Sequence, residues 1–310
     1  MKTANSIGIG VAVVAVLVTL GIMLSRAQQD AGGGPDFANF EVTSEHVAGN
    51  VYMVRGLASN MAVSIGDDGA AIVDDNFAPL TEKILAEIRT IADVSVRYVI
   101  NTHHHGDHTG GNLNLANMGA VIMSTDNARM RLANNPEEEG GPAPEGALPV
   151  VTFQDRTTLH FNGEEIRIVP VAPSHTDGDA YVHFVDSDVV ATGDVFVTIA
   201  FPYVRPPHGG AFSGYFENLD TAIALSGPDT KIVPGHGVVS TRDDLIAYRD
   251  MLAVIRDRVA AMIDEGMSLA EVIRARPTAE YDERWAGEPP AVPFTVDEFV
   301  THVYNDQAGE

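Results

Sequence analysis

The sequence predicts an α/β protein of the α+β kind, a four-layer αββα sandwich of two mixed sheets with outer helices. Two observations carry this. Short apolar strand-like runs followed by a helical period occur twice, once on each side of a Pro/Gly-rich excursion at 134–149. The chain is also long and apolar enough, at 310 residues and 45% hydrophobic, to bury a large core in one domain. Two strand-rich halves packed sheet against sheet, with helices outside, satisfy both.

The first half opens after a polar, Gly-rich lead-in at 28–39, with the fold starting near Phe40. Runs 51–54, 61–65 and 70–73 are split by turn residues such as Gly66-Asp67-Asp68-Gly69, the pattern of an antiparallel meander. Residues 80–92 place Ile84, Leu85, Ile88 and Ile91 at helical spacing. A buried strand at 94–100 follows, then a helical segment at 112–118, a strand at 121–124 and a helix at 125–133. The acidic stretch 134–149 reads as a solvated insertion. The second half has strands at 158–161, 166–171, 180–184 and 189–191, a helix at 214–225, a strand at 231–233 and a long amphipathic helix at 241–265. Helices at 269–275 and 296–304 form a tail spanning 266–310 on the outside.

The formal charge is -24, from 43 acidic against 19 basic residues, and the only lysines are Lys2, Lys83 and Lys231. Such a surface repels phosphate backbones, so nucleic acid is excluded as a partner and a small-molecule substrate is expected. With no cysteine, any metal must be held by nitrogen and oxygen. Residues 1–27 join Lys2, an apolar stretch from Ile7 to Leu24 and the small-x-small end Ser25-Arg26-Ala27, the pattern of a signal peptide. The apolar stretch approaches the ~20 residues of a spanning helix, so an uncleaved membrane anchor is the second reading. Both put the catalytic part outside the cytoplasm, as a periplasmic, secreted or membrane-anchored protein. Oligomeric state is left open.

The run Thr102-His103-His104-His105-Gly106-Asp107-His108-Thr109-Gly110-Gly111 carries the chemistry. At a strand end successive side chains alternate, so His103 and His105 face one way, where they can share a metal, and His104 faces the other, as a structural neighbour. Gly106 lets the chain turn so that Asp107 and His108 face a second metal. Two coordination spheres demand further ligands at strand ends, and His175, Asp194 and His236 each stand just past an apolar strand.

With the motif His103-x-His105-x-Asp107-His108 followed in order by His175, Asp194 and His236, the chain resembles the metallo-β-lactamase fold superfamily from about Phe40 to Glu265. The resemblance implies that His103, His105 and His175 hold one zinc, that Asp107, His108 and His236 hold the other, and that Asp194 bridges them. It implies Asp74 as the support behind the ligands. Two divalent ions roughly 3.5 Å apart lower the pKa of a shared water toward 7, so a metal-bound hydroxide attacks a carbonyl, with Asp107 to orient it and pass a proton. Zinc suits these ligands, two per chain, and iron or manganese fits the same set.

Departures from the lactamase pattern narrow the activity. Zinc β-lactamases carry cysteine or serine where Asp194 stands, whereas thioesterase, lactonase and other hydrolase branches carry aspartate. No lysine lies between Lys83 and Lys231 to bind a drug carboxylate, which leaves Arg205 for that role. The irregular segment 198–215, with Tyr203, Arg205 and His208, is the candidate substrate wall, and the turn 55–60 a candidate rim. The tail after Glu265 lacks the basic character that glutathione thioesterases use for substrate. The expectation is an exported dizinc hydrolase of an ester, thioester, lactone or amide, with β-lactam cleavage as a side activity. The alternatives are a mononuclear iron oxidoreductase of the sulfur-dioxygenase type and a non-hydrolytic cyclase or metal-binding relative.

Overall fold

A computed structural model describes residues 36–134, 141–287 and 294–309. The signal or anchor segment 1–27 lies outside the described residues. Residues Glu41–Glu310 form one compact unit.

The first sheet has seven strands in sequence order: β1 (Thr43–Ala48), β2 (Val51–Arg55), β3 (Asn60–Gly66), β4 (Gly69–Val73), β5 (Val96–Ile100), β6 (Val121–Thr125) and β7 (Val151–Phe153). Its first four strands form an antiparallel meander, and β4 through β7 run parallel. Parallel neighbours need crossovers. Helix α1 (Thr81–Ile91) links β4 to β5, and α2 (Gly106–Thr109) with α3 (Asn112–Asn117) links β5 to β6. Helix α4 (Asp126–Asn134) follows β6.

The second sheet has six strands: β8 (Thr157–Phe161), β9 (Glu164–Pro170), β10 (Ala180–Phe184), β11 (Val189–Ala191), β12 (Lys231–Val233) and β13 (Ser240–Thr241). All its pairs are antiparallel except β11 with β12, which α5 (Gly214–Leu225) connects. Helices α6 (Arg242–Asp264), α7 (Leu269–Ala275), α8 (Asp282–Trp285) and α9 (Val296–Ala308) complete the chain. Helix α6 starts on a reciprocal cap, in which Thr241 Oγ1 accepts from Asp244 N and the Asp244 carboxylate accepts from Thr241 N.

Alternation along the strands assigns each side chain to a layer. Met53, Ala62, Val73 and Ile100 of the first sheet share one core with Ile168, Val182, Phe184, Ala191 and Val233 of the second. The neighbours Tyr181, Val190 and Ile232 point to the opposite face, into a core built with Leu219 of α5, Leu252 and Ile255 of α6 and Phe299 of α9. This is the αββα sandwich.

Several elements differ from expectation. Strand β1 has no apolar alternation, because it pairs along one edge only and most of its residues are exposed or half-buried. Residues 145–147 form a short helical turn with Ala147 buried, so this part of the excursion packs on the domain instead of being solvated. Among the described residues no helix is long and apolar enough to cross a membrane.

Candidate metal centre

Strands β4 and β5 are parallel, as are β11 and β12, and β9 points the same way as β11 because both are antiparallel to β10. Their C-terminal ends deliver every predicted ligand. Past β4 comes Asp74, past β5 the histidine run, past β9 the loop with His175, past β11 the turn Gly193–Val195 with Asp194, and past β12 His236. The two sheets are tied beside the site, where Asn60 donates from N to Gly235 O (2.7 Å) and from Nδ2 to Pro234 O (3.0 Å).

His103, His105, His175 and Asp194 bring ligand atoms within 4.8 Å of one another, and Asp107, His108 and His236 form a second such group. In the first, His105 Nδ1 lies 3.0 Å from His103 Nε2 and 2.8 Å from His175 Nε2. Asp194 stands between the groups. Its Oδ2 is 3.5 Å from His175 Nε2 and 3.2 Å from His236 Nε2, and its Oδ1 is 3.2 Å from His108 Nε2. Asp107 Oδ2 is 3.5 Å from both His108 Nε2 and His236 Nε2.

The outward ring nitrogens show which way each imidazole is protonated. His175 Nδ1 faces the Tyr203 carbonyl at 2.5 Å and His236 Nδ1 the Ala58 carbonyl at 2.8 Å. His108 Nδ1 faces Asp74 Oδ2 at 2.8 Å. His103 Nδ1 lies 3.1 Å from Thr102 Oγ1, whose own proton goes to Asp74 Oδ2 (2.8 Å). Each outward nitrogen therefore donates, which leaves a lone pair on each Nε2 directed into the site. Buried lone pairs this close repel unless a cation lies among them. His108 Nε2 and Asp194 Oδ1 are buried with no hydrogen-bond partner despite their 3.2 Å separation, as expected of ligand atoms aimed at a third point. The donor set, imidazole and carboxylate without thiolate, fits divalent zinc.

The two groups differ electrostatically. Burial holds His103 and His105 well below the usual imidazole range, with neighbouring histidines adding to it. At His108 burial acts in the same direction, but Asp107, Asp194 and Asp74 outweigh it and push the imidazole well above its ordinary value. His236 is raised for the same reason, against burial, by Asp194 and Asp107. Asp194 is held well below the carboxylate range despite burial, by His236 and His108. The buried Asp74, the nearly buried Asp194 and the half-buried Asp107 thus favour positive charge at this locus, which a divalent cation would supply.

The model of the metallo-beta-lactamase superfamily matches residues 47–236, which contain all of these groups. The chain belongs to the metallo-beta-lactamase superfamily. Curated members similar to it include the hydroxyacylglutathione hydrolases of Gloeobacter violaceus (25% identical over 255 residues, 79% of this chain and 87% of that protein) and Pelagibacter ubique (26% over 190 residues, 60% and 70%). Among solved structures, the sec-alkylsulfatase Pisa1 from Pseudomonas sp. matches with TM-score 0.65 at 18% identity over 85% of this chain. The present chain spans half that protein's length. A metallo-beta-lactamase from Pontibacter korlensis matches with TM-score 0.58 at 17% identity, over 69% of this chain and 99% of the other. These structural likenesses show the shared fold. This superfamily member is a metal-dependent hydrolase.

The structure brings together every residue of the predicted ligand set. Asp74 stands behind it, accepting from Thr102 N (2.7 Å), Thr102 Oγ1 and His108. His104 is buried outside both groups, with neither ring nitrogen hydrogen-bonded. The substrate-wall reading needs correction at His208, which is 2% exposed with Nδ1 2.7 Å from His105 Nε2, so it lies against a ligand instead of lining a wall. Tyr203 and Arg205 remain half-buried, with the Arg205 guanidinium 5.1 Å from the Tyr203 ring and its Nη1 donating to the phenol oxygen. Sequence reasoning missed Thr102, Asn60 and the carbonyls of Ala58 and Tyr203. Carbonyl acceptors leave no side-chain signal, and only the place of Thr102 before the first histidine hints at its role.

Proposed function

We propose that this chain is an exported dinuclear zinc hydrolase of a carbonyl substrate, an ester, thioester, lactone or amide, with an acyl thioester the leading class. The observation that carries the dinuclear reading is Asp194, which stands between the groups: Oδ1 faces His108, and Oδ2 lies 3.2 Å from His236 of one group and 3.5 Å from His175 of the other. His103, His105 and His175 would hold one cation, Asp107, His108 and His236 the other, and Asp194 both. When bound, the cations supply Lewis acidity to the substrate oxygen and lower the pKa of water.

The chain's own residues do the rest. The Asp107 carboxylate is 21% exposed, against 17% for His236 and 10% for Asp194, and is the group to orient the nucleophile and take its proton. Tyr203 and Arg205 form the wall beside His175, whose ring centre lies 6.0 Å from that of Tyr203, and Arg205 supplies positive charge for a polar or anionic part of the substrate. The named activity of the curated relatives supports an acyl thioester. The aspartate at position 194 and the lack of a nearby lysine favour this branch over dedicated β-lactam cleavage. The tail from residue 266 is net acidic, which favours a thioester other than that of glutathione. Export rests on Lys2, the apolar run 7–24 and the small-x-small end at 25–27.

The test joins metal analysis to a substrate panel of acyl-glutathione, a second acyl thioester, an aryl ester, a lactone and a β-lactam. Two zincs per chain are expected, with the highest kcat/KM on a thioester. His105→Ala and Asp107→Ala should each lose at least about 100-fold of turnover. One iron per chain with oxygen consumption overturns the proposal.

A further inference from the structure

We infer that His208 is a positioning residue of the metal centre, fixing the tautomer of His105, and that the Arg131–Asp177 ion pair fixes His208 in turn. The inference rests on the reading of His103, His105 and His175 as ligands of one metal.

Four of the five histidines that face the site have their outward nitrogen against an oxygen: Thr102 Oγ1 for His103, Asp74 Oδ2 for His108, the Tyr203 carbonyl for His175 and the Ala58 carbonyl for His236. His105 is the exception. It turns Nδ1 toward His103 and His175, and its Nε2 meets His208 Nδ1 at 2.7 Å. For Nδ1 to present a lone pair, Nε2 must carry the proton, so His208 Nδ1 must accept it, which puts the His208 proton on Nε2 and leaves Arg205 Nη2, 3.4 Å away, beside that nitrogen without a hydrogen bond between the two. An imidazole nitrogen has a single lone pair in the ring plane, whereas a carbonyl oxygen offers two. This acceptor works only if the His208 ring is held in one orientation.

The structure holds it from several sides. Residues Pro206–His208 form one tight helical turn closed by His208 N donating to Arg205 O (2.9 Å). Asp177 N donates to His208 O (3.0 Å) and Arg131 Nη1 to Pro207 O (3.2 Å). Arg131 of α4 and Asp177 pair through two bonds of 2.5 and 2.7 Å, joining a helix of the first half to a loop of the second. After the turn, Gly209 takes φ +76°, and a Cβ there would strike the Asp177 side chain at 2.7 Å. The ring of His104 lies 4.8 Å from that of His208 and 4.7 Å from that of His105, walling the pair from water.

The test uses full-length protein loaded with zinc, with His208→Leu, His208→Asn and Arg131→Leu compared with wild type by chelator competition. The Leu variant keeps bulk and loses the acceptor, while Asn places its Oδ1 where Nδ1 stands. The expected result for His208→Leu is that one of two zincs binds about 10–100-fold more weakly while the other is unchanged. His208→Asn should recover most of the loss, and Arg131→Leu should weaken the same zinc to a smaller degree. If His208→Leu fails to fold, as read by its melting transition, the Asn and Arg131 variants decide: full loss in Asn, or no change in Arg131→Leu, overturns the inference. Both zincs held at wild-type affinity with only KM raised would make His208 a substrate contact and overturn it. A third zinc in wild type that His208→Leu removes would make His104, His105 and His208 a ligand set of their own and also overturn it. Wild type that binds no metal refutes the underlying ligand assignment instead.

Discussion

Asp74→Asn removes the acceptor that stands behind His108 and, through Thr102, behind His103. Thr102 N donates to Asp74 Oδ1 at 2.7 Å, so the amide oxygen of an asparagine must stay there and its NH2 must take the place of Oδ2. That NH2 then faces His108 Nδ1, 2.8 Å away, with a donor against a donor. The relief open to His108 is the other tautomer, which puts a proton on Nε2, 3.2 Å from Asp194 Oδ1, and turns a ligand into a donor. Asparagine tolerates the left-handed backbone here (φ +63°), so the substitution adds little strain. Loss of such a support costs about 10–100-fold in metal affinity, or about 1.4–2.7 kcal/mol. The assay is a two-site chelator titration with zinc. The metal of Asp107, His108 and His236 should weaken most, and that of His103, His105 and His175 less, because the same Oδ2 takes the Thr102 Oγ1 proton behind His103. Wild-type affinity at both sites in Asp74→Asn would refute the tautomer reasoning.

Other substitutions probe the same architecture. At Gly235 a Cβ would collide with Asp194 Oδ1 and with the Gly193 carbonyl, whose oxygen is 2.8 Å away, so Gly235→Ala should fold and lose metal, as read by circular dichroism with metal analysis. His104→Ala should keep both metals, because His104 belongs to neither group with Asp194 or Asp107; loss of either metal contradicts the assignment. Burial, aided by Arg167 and opposed by Asp188, Glu164 and Glu165, lowers the pKa of His183 from 6.5, so the unfolded chain takes up a proton there before the native state does. Its contribution to stability is complete above pH 6.5 and is lost as pH falls from there through the lower folded value. Denaturant titrations of His183→Gln should therefore show a shallower loss of stability below that pH than wild type.

The recurrence of strand runs and helical periods was enough to place two sheets with helices outside. It missed β1, β7 and β13, edge strands that are short or largely exposed, as at Val151, and so carry no alternation, while the longer edge strand β8 was legible. The ligands were legible because chemistry restricts them to histidine and aspartate and the fold delivers them at strand ends, a local pattern that needs no contact map. By itself the sequence thus named the histidines and aspartates that the fold gathers into two groups able to hold metal. The tertiary structure decided what stands behind them: Asp74 and Thr102 at His108 and His103, the Ala58 and Tyr203 carbonyls at His236 and His175, and His208 at His105. Those contacts span up to 178 residues, and two of the five involve a backbone carbonyl, a group every residue carries, while a third involves a common hydroxyl. Packing the two sheets together brings Ala58 to His236 and His208 to His105, while pairing within each half brings Asp74 to His108 and Tyr203 to His175, and these partners set which ring nitrogen of each imidazole carries the proton.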